Sequence, residues 1–434
     1  ILFSISNIKD PTGNMVDDPV TSTKNPVSEV IFDKLPPELG RVFIESSNVT
    51  SGYAQVGDEV TLTFISSDEE DLQTPTVSLV GSETDVIVAQ DGSASSWTAT
   101  KTLTEAHDEG IIEFEITYSD LVGNIADASV SAINEGDNVI FDRTNPYIET
   151  ATIASSNFTD DVLAVPGDIV TVVFEADDNI KTPTVTIAGQ SATVEAGSDA
   201  KNWSAWYPMT NNEGDGVIEF SISYTDYAGN DGEAQTDLIN DLDGEVTFDK
   251  TKPELNTITL ITDNEFNTAY AKVGSQVSLS FNANEPLLSS SIDVTIAGYD
   301  RAASKTATWD GASETWAASY TMTDGYDDNS GLGKDVPFTI NYIDFNGYSG
   351  DLVNETSSGP GVTFDKTDPT RVSLTIATNN ANNASLCKTD DIVTVTFVAN
   401  ELLQPSVMEI AGKSADEVEG PTATTWIGAY TMQG

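Results

Sequence analysis

The stretch Phe248-Asp249-Lys250-Thr251-Lys252-Pro253 recurs as Phe32-Asp33-Lys34-Leu35-Pro36-Pro37, Phe141-Asp142-Arg143-Thr144-Asn145-Pro146 and Phe364-Asp365-Lys366-Thr367-Asp368-Pro369. Its phenylalanines stand 109, 107 and 116 residues apart, a period too long for a solenoid turn and suited to one small domain. The stretch reads as a joint. Its Phe closes a strand, Asp and Lys face water, and Pro forbids further ladder pairing and stiffens the exit.

Between joints the same pattern returns. The clearest strand reads Val60-Thr61-Leu62-Thr63-Phe64, then Val170 to Phe174, Val277 to Phe281 and Val393 to Phe397. Apolar residues fall at every second place, the period of a strand with one dry face. A Gly-Asp or Gly-Ser turn precedes it in three copies, at Gly57, Gly167 and Gly274. A later strand opens on Trp97, Trp203, Trp316 or Trp426, with Tyr207, Tyr320 and Tyr430 four places on in three copies. An even offset puts both rings on one face, and these read as core aromatics. The next strand alternates again and ends in Asp-x-x-Gly-Asn at Asp120 to Asn124 and Asp226 to Asn230. The third copy departs, with Asp344-Phe345-Asn346-Gly347-Tyr348.

About seven short strands per repeat with turn signals between them describe an all-β chain of immunoglobulin-like sandwiches. The joints, the Val-Gly-Asp turns, the Trp strands and Tyr224-Thr225-Asp226-Tyr227-Ala228-Gly229-Asn230 resemble the bacterial immunoglobulin-like tandem repeats of large surface adhesins and other exported multidomain proteins. That resemblance implies an extended string of such domains at the cell surface, with structural or adhesive work. It says little about a ligand, because modules of this kind often act as spacers.

The repeat pattern places domains at residues 34–142, 143–249 and 250–365. Residues 1–33 read as the last two strands of such a unit, and 366–434 as a unit lacking those two. Either the chain is a window on a longer run of repeats, or the opening hairpin of one copy completes the unfinished sandwich of the next. Ile1, Phe3 and Ile5 on the hairpin and Trp426 and Tyr430 on the open unit would form that interface.

The 434 residues carry 70 acids against 18 bases, a formal charge of −52. No basic stripe exists to displace counterions from phosphates, which disfavours nucleic acid and anionic membranes as partners. No stretch of about 20 apolar residues is present to span a bilayer, and no basic leader is visible. The expected setting is extracellular. The expected partners are further repeats or copies of the same chain; the alternatives are a module that binds a glycan or protein ligand, and a spacer carrying an enzyme that lies outside these residues.

Calcium is the one cofactor the sequence suggests. The ion takes six to eight oxygens from carboxylates and carbonyls, and three families of acids recur once per repeat. They are the joint residues Asp33, Asp142, Asp249 and Asp365, the turn residues Asp10, Asp120, Asp226 and Asp344, and Asp68, Asp178, Glu285 and Glu401, four places past the strand-closing Phe. A joint could bring its Asp near loop carboxylates of the next domain; equally, these acids could simply cap turns. Five Asn-x-Ser/Thr triplets, at Asn48, Asn157, Asn202, Asn354 and Asn383, are possible glycan acceptors. Cys387, the single cysteine, takes the place of Ala54, Ala164 and Ala271 and reads as a small buried side chain. The lone histidine, His107, sits in an acidic turn with no motif around it, so the sequence does not read as an enzyme.

Overall fold

The computed structural model describes residues 4–15, 21, 30, 32–242, 244–301, 304–305, 314–327, 333–403, 407–419 and 424–434. Among them there is no α-helix; the elements are strands and two single 3-10 turns. The chain forms two compact units, one of residues 1–154, 169–208 and 217–246, the other of 155–168, 209–216 and 247–434.

One four-stranded sheet recurs in each repeat. In the first its order is Leu39–Ser46, Glu59–Ser66, Ser93–Thr102, Ile87–Asp91. The central pairing keeps one register throughout: Phe64 faces Trp97, Phe174 faces Trp203, Phe281 faces Trp316 and Phe397 faces Trp426. The alternation read from sequence is therefore the in-out alternation of this strand, since Val60, Leu62 and Phe64 are buried and Glu59 and Thr61 are not. All four tryptophans are buried, as core aromatics should be. Tyr207, Tyr320 and Tyr430 are half-buried, and Lys101 takes their place in the first repeat with its Nζ donating to the Leu79 and Thr84 carbonyls.

A second, smaller layer closes each complete core. In the first repeat Thr76–Leu79 pairs antiparallel with Phe114–Thr117. The joint strand Ile140–Phe141 pairs parallel with Tyr53–Ala54 and antiparallel with Gly110–Ile111. The core between the layers includes Val42, Ile44, Leu62, Leu79, Ile116 and Phe141. Each such side chain contributes about 1.5–3 kcal/mol by leaving water. The joint Phe is a core residue in three copies: Phe141, Phe248 and Phe364 are at most 1% exposed. The next amide continues the pairing, with Asp142, Asp249 and Asp365 each donating N–H to the Ala54, Ala164 or Ala271 carbonyl at 2.9 Å.

Among the described residues, 371–431 build the four-stranded sheet, in the order Arg371–Thr378, Ile392–Ala399, Thr425–Thr431, Asp416–Glu419, and of a second layer only the short ladder of Glu409–Ile410 with Lys413–Ser414. The outer strand Arg371–Thr378 is exposed nearly throughout. Cys387 is exposed as well, which corrects the buried reading. Ala54, Ala164 and Ala271 are buried because the joint strand pairs against them, and among the described residues no strand does this at Cys387. The opening hairpin is anchored by a bridge from Lys9 to Met15, and its Ile5 is exposed. Ile1 and Phe3 lie outside the described residues.

Candidate metal centre

The joint brings together the families of acids that the sequence set apart. Each turn aspartate is fixed by a backbone bridge: Leu72 to Asp120, Ile180 to Asp226, Leu287 to Asp344. Two residues before each bridge partner stands an acid, Glu70, Asp178 or Glu285. The joint aspartate comes from the segment that enters the same sandwich. The turn Asp that meets it is thus in the following repeat, not the one about 22 residues earlier.

One carboxylate oxygen from each of Asp33, Glu70 and Asp120 lies within 4.8 Å of the others, and so do those of Asp249, Glu285 and Asp344. Two ligands on opposite sides of a calcium ion at about 2.4 Å stand about 4.8 Å apart, so such a group fits inside one calcium coordination sphere. In the intervening repeat burial pushes Asp142 up in pKa, with Asp226 and Asp178 adding to it. Beyond the third joint, burial and the neighbouring Asp365 push Glu401 up.

Asp68 does not hold the place the sequence assigned it. The first repeat has two extra residues between Phe64 and Leu72 compared with the Phe174 to Ile180 interval, folded into the 3-10 turn Ser67–Glu69. Counting forward from Phe lands on Asp68, whereas the residue that meets Asp33 and Asp120 is Glu70. Counting back two from the bridge residue would have found it.

The joint aspartates also cap turns. One oxygen of Asp33, Asp142, Asp249 and Asp365 accepts the amide two residues on, at 2.8–3.0 Å. The turn aspartates accept amides too, and here the repeats diverge. Asp120 Oδ1 takes the Val122, Gly123 and Asn124 amides while its Oδ2 takes Asn124 Nδ2 at 2.6 Å. Burial pushes Asp120 up, but these hydrogen bonds outweigh it and hold the group below its ordinary range. Asp226 is closed in the same way by Asn230 Nδ2 at 2.8 Å. In the third repeat Tyr348 stands where those asparagines do, and of this residue the amide, not the side chain, reaches the Asp344 carboxylate, at Oδ1. Asp344 is 1% exposed and its Oδ2 has no partner. One oxygen of Glu285, Oε1, is likewise buried and unpartnered. Burial, with the Asp249 charge beside it, pushes Asp344 up to about 6. Burial, Asp344 and Asp249 push Glu285 up to about 7.

A second contact recurs near the turns. Asn48 Nδ2 donates to Asp58 and to the Ala228 carbonyl, both at 2.7 Å. Asn157 Nδ2 donates to Asp168 at 2.8 Å and to the Asn346 carbonyl at 2.9 Å. Each loop asparagine thus clasps the turn of the following repeat. In the first unit Tyr53 also stacks on Tyr227 at 5.8 Å. Both amide hydrogens of these two sequon asparagines are engaged, so a glycan on either would break the clasp. Asn202 Nδ2 donates to Asp199, and Asn354 and Asn383 are exposed. The structural counterpart of Asn48 and Asn157 in the last repeat is Asn380, which donates to Asp391 at 2.7 Å, and not Asn383. His107 is spent on its own turn, its Nδ1 accepting the Thr104 amide.

No protein-family model matches the sequence, and no curated protein matches it. Among solved structures, a tetra-tandem repeat from the extending region of a large adhesion protein is similar at 15% identity, covering 91% of this chain and 90% of that one, with a TM-score of 0.28. A marsupial T cell receptor is similar at 11% identity over 74% of this chain and 100% of its own, also at 0.28. Tandem Ig repeats of Dlar match at 10% identity over 48% of this chain and 98% of theirs, at 0.18.

Proposed function

We propose that this chain is an extracellular structural or adhesive element, a shaft or spacer of immunoglobulin-like domains bounded near residues 33, 142, 249 and 365, whose joints are braced by calcium. The observation that supports it most is recurrence. A carboxylate from the joint meets two from the following repeat at Asp33 and again at Asp249, and an asparagine clasps the following turn twice. A ligand pocket has no reason to be copied from one boundary to another, whereas a brace does. Unpaired carboxylates crowded in low dielectric repel one another, and a divalent cation turns that repulsion into cross-linking. Scanning calorimetry of the full chain in millimolar calcium against chelator tests the reading. Calcium should raise the melting temperature and reduce the flexibility seen by small-angle scattering. A melt that ignores both additions would remove the ion from the account.

One observation favours a further element, completion of the last repeat by strands from elsewhere. Leu374 and Ile376 are 52% and 72% exposed on the face whose counterparts Val42 and Ile44 are 1% and 5% exposed. Two more strands of the same pattern fit there, either covalent continuation or residues 1–15 of a second copy, which would give a head-to-tail filament. A denaturing gel of native material separates them, because covalent continuation gives one very long chain and complementation gives a ladder collapsing to a single short one. A glycan- or protein-binding role remains the alternative function, and the clefts beside the sheets, such as that lined by Arg41, Phe43 and Glu135, are where it would be sought.

A further inference from the structure

The joints share a plan but not a chemistry, and the difference sits in one residue. Four places after the turn aspartates Asp10, Asp120, Asp226 and Asp344 the chain carries Asn14, Asn124, Asn230 and Tyr348. The first three donate a side-chain N–H to the outer oxygen of the aspartate, at 2.6–2.8 Å. Tyrosine has no donor that reaches back across the turn. Its hydroxyl points away, donating to Asn211 Oδ1 at 3.4 Å. The outer oxygen of Asp344 is therefore buried without a partner, in a carboxylate that brings an oxygen within 4.8 Å of one each from Asp249 and Glu285. Asp249 is drawn into the group from the other side, its Oδ2 accepting Asn346 Nδ2 at 2.5 Å. A buried carboxylate oxygen left unsatisfied is costly in proportion to its charge, so the site calls for a cation or a proton. The first joint has its three carboxylates at the same spacing, but Asn124 already supplies the positive end of a dipole where the cation would be needed.

From this we infer that the residue four after the turn aspartate sets how tightly a joint holds calcium: the Asp249–Glu285–Asp344 joint is the tight site, and asparagine weakens the demand for the ion at the others. This rests on the reading of the joints as calcium sites and adds a ranking to it. Oxygen-only donors and one backbone-tethered carboxylate suit calcium, which tolerates irregular geometry, better than magnesium, which demands a near-ideal octahedron. The role of Tyr348 is indirect, because it never touches the ion and acts only by withholding a hydrogen bond.

Calorimetric titration of the full chain with calcium chloride after chelator treatment tests the ranking. Wild-type protein should show one tight event. Tyr348→Asn should weaken it by about tenfold or more, the scale on which outer partners tune a metal site. The reciprocal change, Asn124→Ala, should free Asp120 Oδ2 and tighten binding at the first joint. Because that variant acts in a different repeat, a folding defect in Tyr348→Asn cannot mimic the pair of results. If calcium binds but its tightest event ignores Tyr348→Asn, or is lost with Asp120→Asn in place of Asp344→Asn, the ranking is overturned while the joint reading stands. If no variant and no wild-type sample binds calcium, both fall together. Magnesium chloride in the same titration should give no event of comparable affinity, and equal affinity would overturn the choice of ion.

Discussion

The first and last repeats carry the same strand with opposite fates. Leu39–Ser46 pairs with Glu59–Ser66 so that Val42 faces Phe64 and Ile44 faces Leu62. Arg371–Thr378 pairs with Ile392–Ala399 so that Leu374 faces Phe397 and Ile376 faces Val395. The hydrogen-bonded ladder is equivalent, yet Ile44 is 5% exposed and Ile376 is 72% exposed. Alternating pattern and register are thus properties of one sheet, while burial belongs to the pair of layers. The second layer, built in the first repeat by Thr76–Leu79, Phe114–Thr117 and the joint strand, turns a wet face into a core.

The sharpest way to break this comparison is to place a charge on both strands. Ile44→Asp puts a carboxylate into a closed core and should destabilise its repeat by about 3–5 kcal/mol, abolishing the first transition in a urea melt. Ile376→Asp meets water and should cost under about 1 kcal/mol. Equal effects would mean that something else covers the Arg371–Thr378 face in solution, which is what strand completion from a second copy would do. Running the melt at several protein concentrations distinguishes that case.

Next in size is a pair of glycines. Gly123 and Gly347 occupy the same place in their turns, with φ of +95° and +93°, where any side chain is strained. They differ in surroundings. A Cβ at Gly123 would meet nothing within 4 Å, whereas one at Gly347 would sit 2.9 Å from Thr159 Oγ1 and 3.2 Å from Asn157. Gly123→Ala should cost about 1 kcal/mol from backbone conformation alone, and Gly347→Ala about 1–3 kcal/mol more, because the Asn157 clasp must also shift. Thermal unfolding of both variants measures the excess, and no excess would mean the clasp is loose in solution.

Much of this was legible in the sequence. Period, strand alternation and the Phe and Trp positions follow from local chemistry that each repeat restates, so they survive without knowledge of the fold. The three acid families were legible as recurring, but their grouping was not, because the turn Asp that meets Asp249 lies 95 residues after it in Asp344. Asp68 was misplaced since counting from one landmark assumes no insertion, and the first repeat spends two extra residues on a 3-10 turn. Cys387 was correctly aligned with three buried alanines and still misread, because burial there comes from a partner strand and not from the residue. The departure at Tyr348 was visible as a broken motif. Its consequence lies in the folded turn, where Asn124 closes a carboxylate that Tyr348 leaves open.

The smallest predicted effect is also the one that separates proton from cation at the third joint. Glu285 and Asp344 are raised in the folded chain to about 7 and about 6, from ordinary values of 4.5 and 3.8, because burial disfavours their charged forms, with the Asp344 and Asp249 charges acting on Glu285 and the Asp249 charge on Asp344. A carboxyl raised on folding favours the native state while protonated. Its contribution is complete below the unfolded pKa and is lost as pH climbs through the folded one. In chelator, the melting temperature of the chain should therefore fall as pH rises from about 5 to 8, by a few degrees. Asp120, held below its ordinary range by Asn124 and three amides, works the other way and loses stability only in acid, below about pH 4. Saturating calcium should flatten the upper limb, since an ion at Asp249, Glu285 and Asp344 replaces the protons and binding should release them. Tyr348→Asn should flatten the same limb without calcium, by supplying the missing donor to Asp344. A fall with pH that persists unchanged in that variant would assign the titration to other carboxylates and return the third joint to the pattern of the first.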